Sequence, residues 1–359
     1  MTRHVFITGF PGFIARNLLK KLLAVDTEVT VTALVEAGRE QEAKEALYGV
    51  DQHDTGDLAA SVRVATVVGD VTAMDLGLAG AEFRAITSRT TEIYHLAAVH
   101  AVAADRSIAE RVNVRGTASV LAIAEATTNL ERFVHFSSAY VSGDRTGVIL
   151  EDELEEGQSF KNAYEATKYQ AEVLVERAKK RLPCTVIRPG AVVGDSRTGA
   201  IDRFDSVYQL AMMLVASPVS VPIPLKGDGR APMNLVPVDY VVDAVHAIVS
   251  SPASIGRTYH VVDPNPLPAR RVYELVAERA GKPLPKRTVS PNLTKALLKI
   301  PGIEKLASLQ GEAIDYLNQM AFYNSAQTAE LLVGTGIRCP PFSDYLENLM
   351  SYARERTTR

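Results

Sequence analysis

The sequence predicts an α/β fold, a doubly wound parallel sheet with a smaller C-terminal region, and three observations lead to that prediction. A glycine-rich turn follows the first apolar segment. Strand-like and helix-like segments then alternate as far as residue 190, and after that point the pattern becomes irregular and rich in proline. Alternation of this kind is typical of parallel strands joined by helices that cover both faces of the sheet.

The first element is a short buried strand, Val5–Thr8, and an amphipathic helix begins near Phe13. Between them lies Gly9-x-x-Gly12-x-x-Ala15. Gly9 permits a sharp turn, bare backbone at Gly12 permits a ligand to approach, and Ala15 lets the helix lie close to the strand. The start of the helix offers unpaired N–H groups and a partial positive charge, which suit a pyrophosphate. The motif therefore predicts a Rossmann-type dinucleotide site, although the spacing alone also fits a purely structural turn.

Further strands and helices follow in turn along the chain. The predicted strands are Val29–Val35, Val62–Val68, Glu92–Ala98, Arg132–Ser138 and Cys184–Gly190, and the predicted helices are Arg39–Leu47, Ser107–Thr127 and Ala163–Arg181. The strands are rich in β-branched and apolar residues, as buried parallel strands are.

The chain is predicted to divide near residue 190. Asn234–Val249 has the pattern of a strand and a helix that return to the main body. Ligands of open α/β sheets bind at the carboxyl edge, so we expect the irregular part to lie over that edge. The predicted division is a dinucleotide-binding Rossmann domain of residues 1–190 with a return segment at about 234–262, and a substrate-binding or lid region of residues 191–233 and 263–359.

Composition argues against several classes of protein. The 359 residues carry a formal net charge of −3, so no basic surface for nucleic acid is expected. Cys184 and Cys339 lie far apart and the histidines show no ligand spacing, so we expect no disulfide framework and no metal site. The N-terminus lacks a signal-peptide pattern and no apolar stretch has the length of a spanning helix, which favours a cytoplasmic location.

The residues that could carry chemistry lie on two predicted helices and at one strand end. Tyr164 and Lys168 are one helical turn apart, Ser137 and Ser138 end the preceding strand, and Asn113 lies on an earlier helix. A nearby ammonium stabilises a phenolate, so Lys168 is expected to lower the pKa of Tyr164. Such a tyrosine can exchange a proton with a carbonyl oxygen that a serine hydroxyl also holds. A Tyr-x-x-x-Lys pair is common by chance, and its co-occurrence with the glycine turn is what indicates a hydride-transfer site.

Taken together, these motifs resemble those of the extended short-chain dehydrogenase/reductases. The resemblance covers about the first 260 residues and rests on Thr8-Gly9-x-x-Gly12-x-x-Ala15, HLAA at His95–Ala98, Asn113, Ser138, Tyr164 with Lys168, and RPG at Arg188–Gly190. More narrowly, the stretch from FSSAYVSG to the Tyr164 helix resembles the fatty acyl-CoA reductase and thioester-reductase branch, the male sterility type. The resemblance implies reduction of acyl thioesters, on coenzyme A or a carrier, to aldehydes or alcohols with NADPH.

The resemblance also implies roles for individual residues. The implied catalytic residues are Ser138, Tyr164, Lys168 and Asn113. The implied cofactor-binding residues are Thr8, Gly9, Pro11, Gly12, Phe13, Ile14, Glu36, Arg39, Asp70, Val71, Leu96, Ala97, Ala98, Tyr164, Lys168, Pro189 and Gly190, and the substrate contacts are Ala139, Tyr140 and Arg230. Ser138 and Tyr164 would polarise and protonate the substrate oxygen. Lys168 would bind the nicotinamide ribose, and Asn113 would support the proton relay or the local helix geometry.

Three of these assignments depend on position within the family pattern. Ser138 is chosen over its serine neighbour because it lies five residues before Gly143, as the family's active hydroxyl does. Asp70 would reach the adenine, and Pro189 with Gly190 would line the nicotinamide.

The cofactor pattern departs from the branch at one residue. The branch usually has an arginine after the second strand to hold the 2′-phosphate of NADPH, whereas this chain has Glu36. A carboxylate there would repel a phosphate and could accept hydrogen bonds from a free ribose diol, which favours NAD(H). Arg16, Arg39 and Lys44 are near enough in sequence to supply positive charge. NADP(H) is therefore expected from the resemblance, with NAD(H) as the rival.

Other functions remain open from the residues alone. The rival enzymes are a dehydrogenase of a hydrophobic, sterol-like alcohol or ketone and a nucleotide-sugar epimerase or dehydratase that holds NAD tightly. The non-catalytic rival is a dinucleotide-sensing scaffold, against which the intact serine, tyrosine and lysine set argues.

The expected partners follow from the same reasoning. The substrate is expected to be a small hydrophobic or thioester compound. Amphipathic stretches in Pro291–Tyr323 would pack as a subdomain core or cover the cleft at a membrane surface, and Arg230 would face an anionic group or a structural partner. The helices that hold Asn113 and Tyr164 are the expected interface of a homodimer.

Overall fold

A computed structural model of the chain describes residues 3–53, 63–100, 105–202, 229–282 and 319–357. In chain order the strands are β1 (His4–Phe10), β2 (Thr30–Val35), β3 (Val64–Val68), β4 (Glu92–His95), β5 (Arg132–Phe136), β6 (Gly147–Ile149), β7 (Cys184–Pro189), β8 (Ala191–Val193), β9 (Pro232–Met233), β10 (Leu235–Pro237), β11 (Thr258–Val261), β12 (Leu267–Pro268) and β13 (Ala321–Tyr323). Within the described ranges, seven of them form a parallel sheet in the order β11-β7-β5-β4-β1-β2-β3.

Helices cover both faces of this sheet, as the alternating pattern predicts. They are α1 (Phe13–Val25), α2 (Glu40–His53), α3 (Gly80–Arg89), α4 (Arg106–Ala109), α5 (Gly116–Ala126), α6 (Ala163–Ala178), α7 (Val238–Ser250), α8 (Ala269–Arg279), α9 (Ala326–Leu332) and α10 (Phe342–Thr357). Apolar side chains of α1, α2, α7 and α9 pack on one face, and those of α3, α5 and α6 pack on the other. The predicted Rossmann-type fold class is confirmed.

The direction of winding reverses between β1 and β4. The chain adds β2 and β3 on one side of β1, and then β4, β5, β7 and β11 on the other. The carboxyl ends of β1 and β4 therefore flank a crevice, the position at which open α/β sheets bind ligands. Because the strands are parallel, the predicted site segments after β1, β2, β4, β5 and β7 all lie along this one edge.

Two predicted elements differ from the observed ones. The predicted helix Ser107–Thr127 is divided into α4, a π-helical segment Glu110–Arg115, and α5. The strand predicted to run to Ala98 ends at His95, so the small residues that follow it form a loop at the crevice. None of the helices among the described residues combines the length and the apolar composition needed to cross a bilayer.

A second apolar core lies in the C-terminal region. It includes Val272 and Val276 of α8, Leu346 and Leu349 of α10, and Leu235 of β10. Of the expected return segment, α7 packs in the main core and β11 joins the main sheet, whereas β10 pairs with β8 in a separate two-stranded sheet. The division into two regions stays a prediction. Residues 203–228 and 283–318 lie outside the described residues, and so does most of the stretch predicted to cover the cleft or a membrane.

Candidate active site

The turn after β1 needs its glycines for steric reasons. Gly9 has a φ of +83°, and a Cβ there would lie 2.6 Å from the backbone nitrogen of Ala97. A Cβ at Gly12 would lie 2.7 Å from the Gly9 carbonyl oxygen, which accepts the Gly12 N–H at 2.8 Å. The turn therefore folds tightly against the loop after β4 and brings the start of α1 to the crevice.

The start of α1 has the features of a pyrophosphate site. The helix begins at Phe13, and no side chain caps it at Gly12. The N–H groups of its first turn, including those of Phe13 and Ile14, lack acceptors within the helix and carry the positive end of its dipole. Their position at the carboxyl end of β1, beside the crevice, fits the phosphates of a dinucleotide.

Ser138 and Tyr164 form a pair of hydroxyls at the end of β5. Ser138 is buried and begins a single 3₁₀ turn, in which its Oγ accepts the N–H of Tyr140 at 3.2 Å. The Tyr164 phenol lies in the first turn of α6 and is hydrogen-bonded to the Ser138 hydroxyl. Asn162 caps α6 by accepting a backbone N–H of the first turn at 3.0 Å, which holds Tyr164 in place.

The pKa of Tyr164 corrects the expectation from sequence. Burial raises the pKa of the phenol above its usual range, and the weaker opposing effect of the Ser138 hydrogen bond does not reverse this. The expectation that Lys168 lowers this pKa was wrong, because spacing on a helix does not reveal how strongly a phenol is desolvated. The phenol is therefore protonated at neutral pH.

Lys168 lies one turn below Tyr164 and is buried. Its Nζ donates to the carbonyl oxygen of Phe136, the last residue of β5, at 2.5 Å. Burial lowers the pKa of Lys168 to about 8, and the Glu172 carboxylate partly opposes this effect. The ammonium form therefore persists at neutral pH but is lost at moderately alkaline pH.

Asn113 is a structural tie between the crevice loop and the Tyr164 helix. Its Oδ1 accepts the N–H of Val99 at 2.8 Å, and its Nδ2 donates to the Val99 carbonyl at 3.2 Å and to Thr167 Oγ1 at 3.0 Å. The amide is buried in the π-helical segment and its two N–H donors are both used. Of the two roles implied for Asn113, these contacts support the geometric one.

Two histidines beneath the site were missed by sequence reasoning. His95 Nε2 bonds to Thr117 Oγ1 at 2.9 Å, and His95 Nδ1 bonds to Thr8 Oγ1 at 2.8 Å. Thr117 donates to the Asn113 carbonyl at 2.6 Å, so His95 is the donor at Nε2 and accepts the Thr8 hydroxyl at Nδ1. Burial lowers the pKa of His95 to about 3, and it lowers that of the adjacent His135 well below its usual range. Both imidazoles are neutral.

A buried ionic network behind Lys168 was also missed. Arg188 of the RPG motif donates to the Glu172 carboxylate through Nε at 2.8 Å and Nη2 at 2.6 Å, and Ser137 donates to the same carboxylate. Arg188 also donates to the carbonyl of Glu153 at 2.9 Å and contacts His260 Nε2 at 3.3 Å. The motif itself was visible in the sequence, but the partner on α6 was not.

The network continues to the C-terminal segment through Glu151. This buried carboxylate accepts the His260 N–H at 2.9 Å, the Gln327 N–H at 2.7 Å and the Thr328 hydroxyl at 2.8 Å. The start of α9 is thus fixed to the loop after β6 and to β11.

The other predicted cofactor contacts lie at the same edge. They are Thr8 in β1 and Pro11 after it, Glu36 and Arg39 after β2, Asp70 and Val71 after β3, Leu96, Ala97 and Ala98 after β4, and Pro189 at the end of β7 with Gly190 after it. Asp70 accepts the N–H and the hydroxyl of Thr72 at 2.7 and 2.8 Å, so its carboxylate is oriented by its own loop. A Cβ at Gly190 would lie 2.7 Å from the Asn234 carbonyl oxygen, so this turn is closely packed.

The predicted substrate contacts are placed differently from one another. Ala139 is buried and Tyr140 is half-buried, with its ring edge-on to Tyr323 at 6.4 Å between centroids. Arg230 is exposed and is the second residue of the described range 229–282. Its role in substrate binding stays a prediction.

Comparison with known proteins decides the family. The model of an NAD-binding family described as male sterility protein matches residues 7–245. The chain belongs to this family. The match covers the glycine turn, the crevice loops and α6. The predicted resemblance and the predicted enzyme class, an NAD(P)-dependent short-chain dehydrogenase/reductase of the extended type, are therefore confirmed.

Relatives of this male sterility family member include parts of larger proteins. The chain is 27% identical over 270 residues to a linear gramicidin synthase of Brevibacillus parabrevis, a match that covers 72% of the chain and 5% of that protein. It is 25% identical over 296 residues to the fatty acyl-CoA reductase wat of Drosophila melanogaster, covering 73% of the chain and 56% of that protein. The chain thus spans from a small part to about half of these relatives.

Among solved structures, the terminal R domain of the myxalamid PKS-NRPS biosynthetic pathway is similar over the whole chain. The TM-score is 0.83 at 29% sequence identity, and the match covers 100% of this chain and 92% of the R domain.

Proposed function

We propose that this chain reduces the carbonyl of an acyl thioester, carried on coenzyme A or a carrier, and the aldehyde derived from it. The observation that carries the proposal is the hydrogen-bonded pair of Ser138 and Tyr164, with the Lys168 ammonium one turn away, beside a crevice fitted to a dinucleotide. The similarity to a reductase domain of a biosynthetic assembly line and to a fatty acyl-CoA reductase supports the thioester as substrate.

The two hydroxyls have separate parts in the reaction. When bound, the reduced nicotinamide supplies the hydride, which adds to the thioester carbon. Tyr164 donates its proton to the carbonyl oxygen, and Ser138 holds the same oxygen as a second donor. The C–S bond of the resulting adduct then breaks, the hydroxyl proton passes to sulfur, and an aldehyde and a thiol are released.

The environment of Tyr164 suits the reducing direction. Burial raises the pKa of the phenol, so at neutral pH the side chain holds the proton that reduction consumes. Lys168 would bind the ribose of the nicotinamide half, and its hold on the Phe136 carbonyl keeps the ammonium beneath Tyr164.

The direct test measures reduced nicotinamide and free thiol together. Purified protein is incubated with NADH or NADPH and a panel of acyl-CoA thioesters, aldehydes and ketones. We expect one thiol to be released for each reduced nicotinamide consumed when the product is the aldehyde, and one thiol for every two consumed when the aldehyde is reduced further to the alcohol. We also expect Tyr164→Phe to lower kcat by at least ~100-fold, because positioned proton transfer contributes about that much.

Tyr169→Phe is the matched control. Tyr169 lies on the same helix, and its ring packs against Phe160 at 4.9 Å between centroids, a contact that phenylalanine retains. Its turnover should match that of the wild type. Unchanged turnover in Tyr164→Phe would refute the assigned proton donor. Oxidation of nicotinamide by ketones without thiol release would favour the hydrophobic dehydrogenase, and protein purified with NAD already bound would favour the sugar epimerase.

A further inference from the structure

The choice between the two nicotinamide cofactors can be argued from the residues after β2. Val35 ends this strand, and it is paired with Phe10 of β1 on one side and with Val68 of β3 on the other. Glu36 therefore follows at the level of the glycine turn and is exposed at the carboxyl edge. An acidic residue in this position accepts hydrogen bonds from the adenosine ribose, whereas an arginine accommodates a 2′-phosphate.

The arginines near Glu36 are already paired with carboxylates. Arg39 makes a two-pronged ion pair with Glu42, at 2.8 Å from Nε and 2.7 Å from Nη2. Arg16, on the first turns of α1, pairs with Asp202. The charge of each guanidinium is therefore already balanced by a carboxylate in the present geometry.

The charges of this corner interact with one another. The pKa of Arg39 is raised first by Glu42 and further by Glu36 and Asp202, and Arg16 helps to lower the pKa of Glu42. Lys44, the third cation near Glu36 in sequence, is exposed on α2 outside this set. Among the described groups tied together by these interactions, two guanidinium groups face three carboxylates. Their net formal charge is −1 before any ligand arrives.

We propose that this corner, Glu36 with the Arg39–Glu42 and Arg16–Asp202 pairs, selects NAD(H) over NADP(H). A 2′-phosphate would bring a further charge of about −1.5 to −2 into a corner that is already negative. A free 2′-hydroxyl brings no charge and can donate to the Glu36 carboxylate. This inference deepens the proposed function, since it names the hydride donor of the same site.

The test is a direct measurement of binding, independent of turnover. Isothermal titration calorimetry gives Kd for NAD⁺ and for NADP⁺ with the wild type, Glu36→Gln and Glu42→Gln. We expect the wild type to bind NADP⁺ at least ~10-fold more weakly than NAD⁺, since one like-charge contact at about 4 Å weakens binding by between about fivefold in bulk water and about a thousandfold near a protein surface. Glu36→Gln should weaken NAD⁺ binding and strengthen NADP⁺ binding, so the difference between the two Kd values should become smaller. Glu42→Gln should strengthen NADP⁺ binding alone, because it frees Arg39.

Glu28→Gln is the matched control, since Glu28 is exposed at the opposite end of β2. It should leave both Kd values unchanged. Added salt should shrink the difference between the cofactors in the wild type, because exposed charges are screened. Wild type that binds NADP⁺ as tightly as NAD⁺, or a ratio that neither glutamine variant moves, overturns the inference.

Failure of the inference can be told apart from failure of the proposed function. Preference for NADP⁺ together with thiol release from thioesters would reject only the cofactor assignment. Preference for NAD⁺ with no thiol released from any thioester would keep the cofactor assignment and reject the thioester reductase.

Discussion

The two ends of the site differ in how their charges are placed relative to water. At the end of β2, the side chains of Arg39 and Glu42 keep 40% and 49% of their surface exposed. Behind α6, the helix that carries Tyr164, the side chains of Arg188 and Glu172 keep 2% and 0% of their surface exposed. Both pairs have short contacts, so geometry alone would rank them as equals.

The two ion pairs differ in their energetic roles because one is buried and the other is exposed. An exposed ion pair contributes roughly 0–1 kcal/mol to stability, and its charges can act on a ligand that arrives from solvent. A buried pair cannot lose a partner without leaving a desolvated charge. The ribose corner is therefore suited to selecting a cofactor, and the network behind α6 is suited to holding Ser137, Lys168 and their neighbours in one arrangement.

The largest expected effect is on stability, and it tests whether burial distinguishes the buried ion pair from the exposed one. Arg188→Ala leaves the Glu172 carboxylate buried without its cation, and we expect it to lower the free energy of unfolding by about 3–5 kcal/mol. Arg181→Ala removes the exposed pair with Glu125, whose side chains are 64% and 46% exposed, and should cost less than about 1 kcal/mol. Urea unfolding of the two variants measures both values. Equal effects would show that burial does not separate the two kinds of pair.

A second effect should appear on mild acidification. Burial lowers the pKa of His4 to about 4 and those of His95 and His260 to about 3, whereas the unfolded chain has ordinary histidines with a pKa of about 6.5. Below pH 6.5 the unfolded state binds more protons, so stability falls as pH falls. We expect a loss of about 1.4 kcal/mol per pH unit for each buried histidine between pH 6 and 5.

Denaturant unfolding across this range tests the acid effect. Most carboxylates titrate lower, so the window reports mainly on the histidines. In His95→Asn, the free energy of unfolding should fall less steeply with decreasing pH, by the contribution of one buried histidine. A free energy of unfolding that is constant from pH 7 to 5 would contradict the assignment of neutral buried imidazoles.

A smaller effect concerns Lys168 alone. Burial lowers its pKa to about 8, so the ammonium that would hold the ribose is present below that pH and is lost above it. We expect kcat/KM to fall about tenfold per pH unit above pH 8. In Lys168→Arg the charge persists, so the fall should move to higher pH even if the rate is lower. A wild-type kcat/KM that stays constant up to pH 9.5 would contradict a role for the Lys168 charge in the reaction.

Local spacing explains which parts of the site could be predicted. Gly9 and Gly12 lie within one turn, and Tyr164 and Lys168 lie on one turn of helix, so short-range rules suffice for them. The parallel sheet with helices on both faces also follows from the alternation of strands and helices. These features account for the fold class and for the reacting groups.

Long-range contacts and burial explain the rest. Glu172 meets Arg188 only because α6 packs on β7, and Asn113 meets Thr167 only because two helices pack together. The sign of the Tyr164 pKa shift was predicted wrongly because desolvation depends on the whole surrounding structure. The extent of this desolvation cannot be inferred from the spacing of residues along the chain.

The π-helical segment Glu110–Arg115 has a consequence for how this helix tolerates insertions and deletions. A π segment carries one residue more per turn than regular α-helix, and such segments recur at functional sites. Here it lets Asn113 reach Val99 and Thr167 while α5 still buries its apolar face. Deleting one residue would convert the segment towards regular α-helix and change which side chain points at Val99 and Thr167. The number of residues in the segment Glu110–Arg115, and not only their identity, therefore decides whether Asn113 makes these contacts.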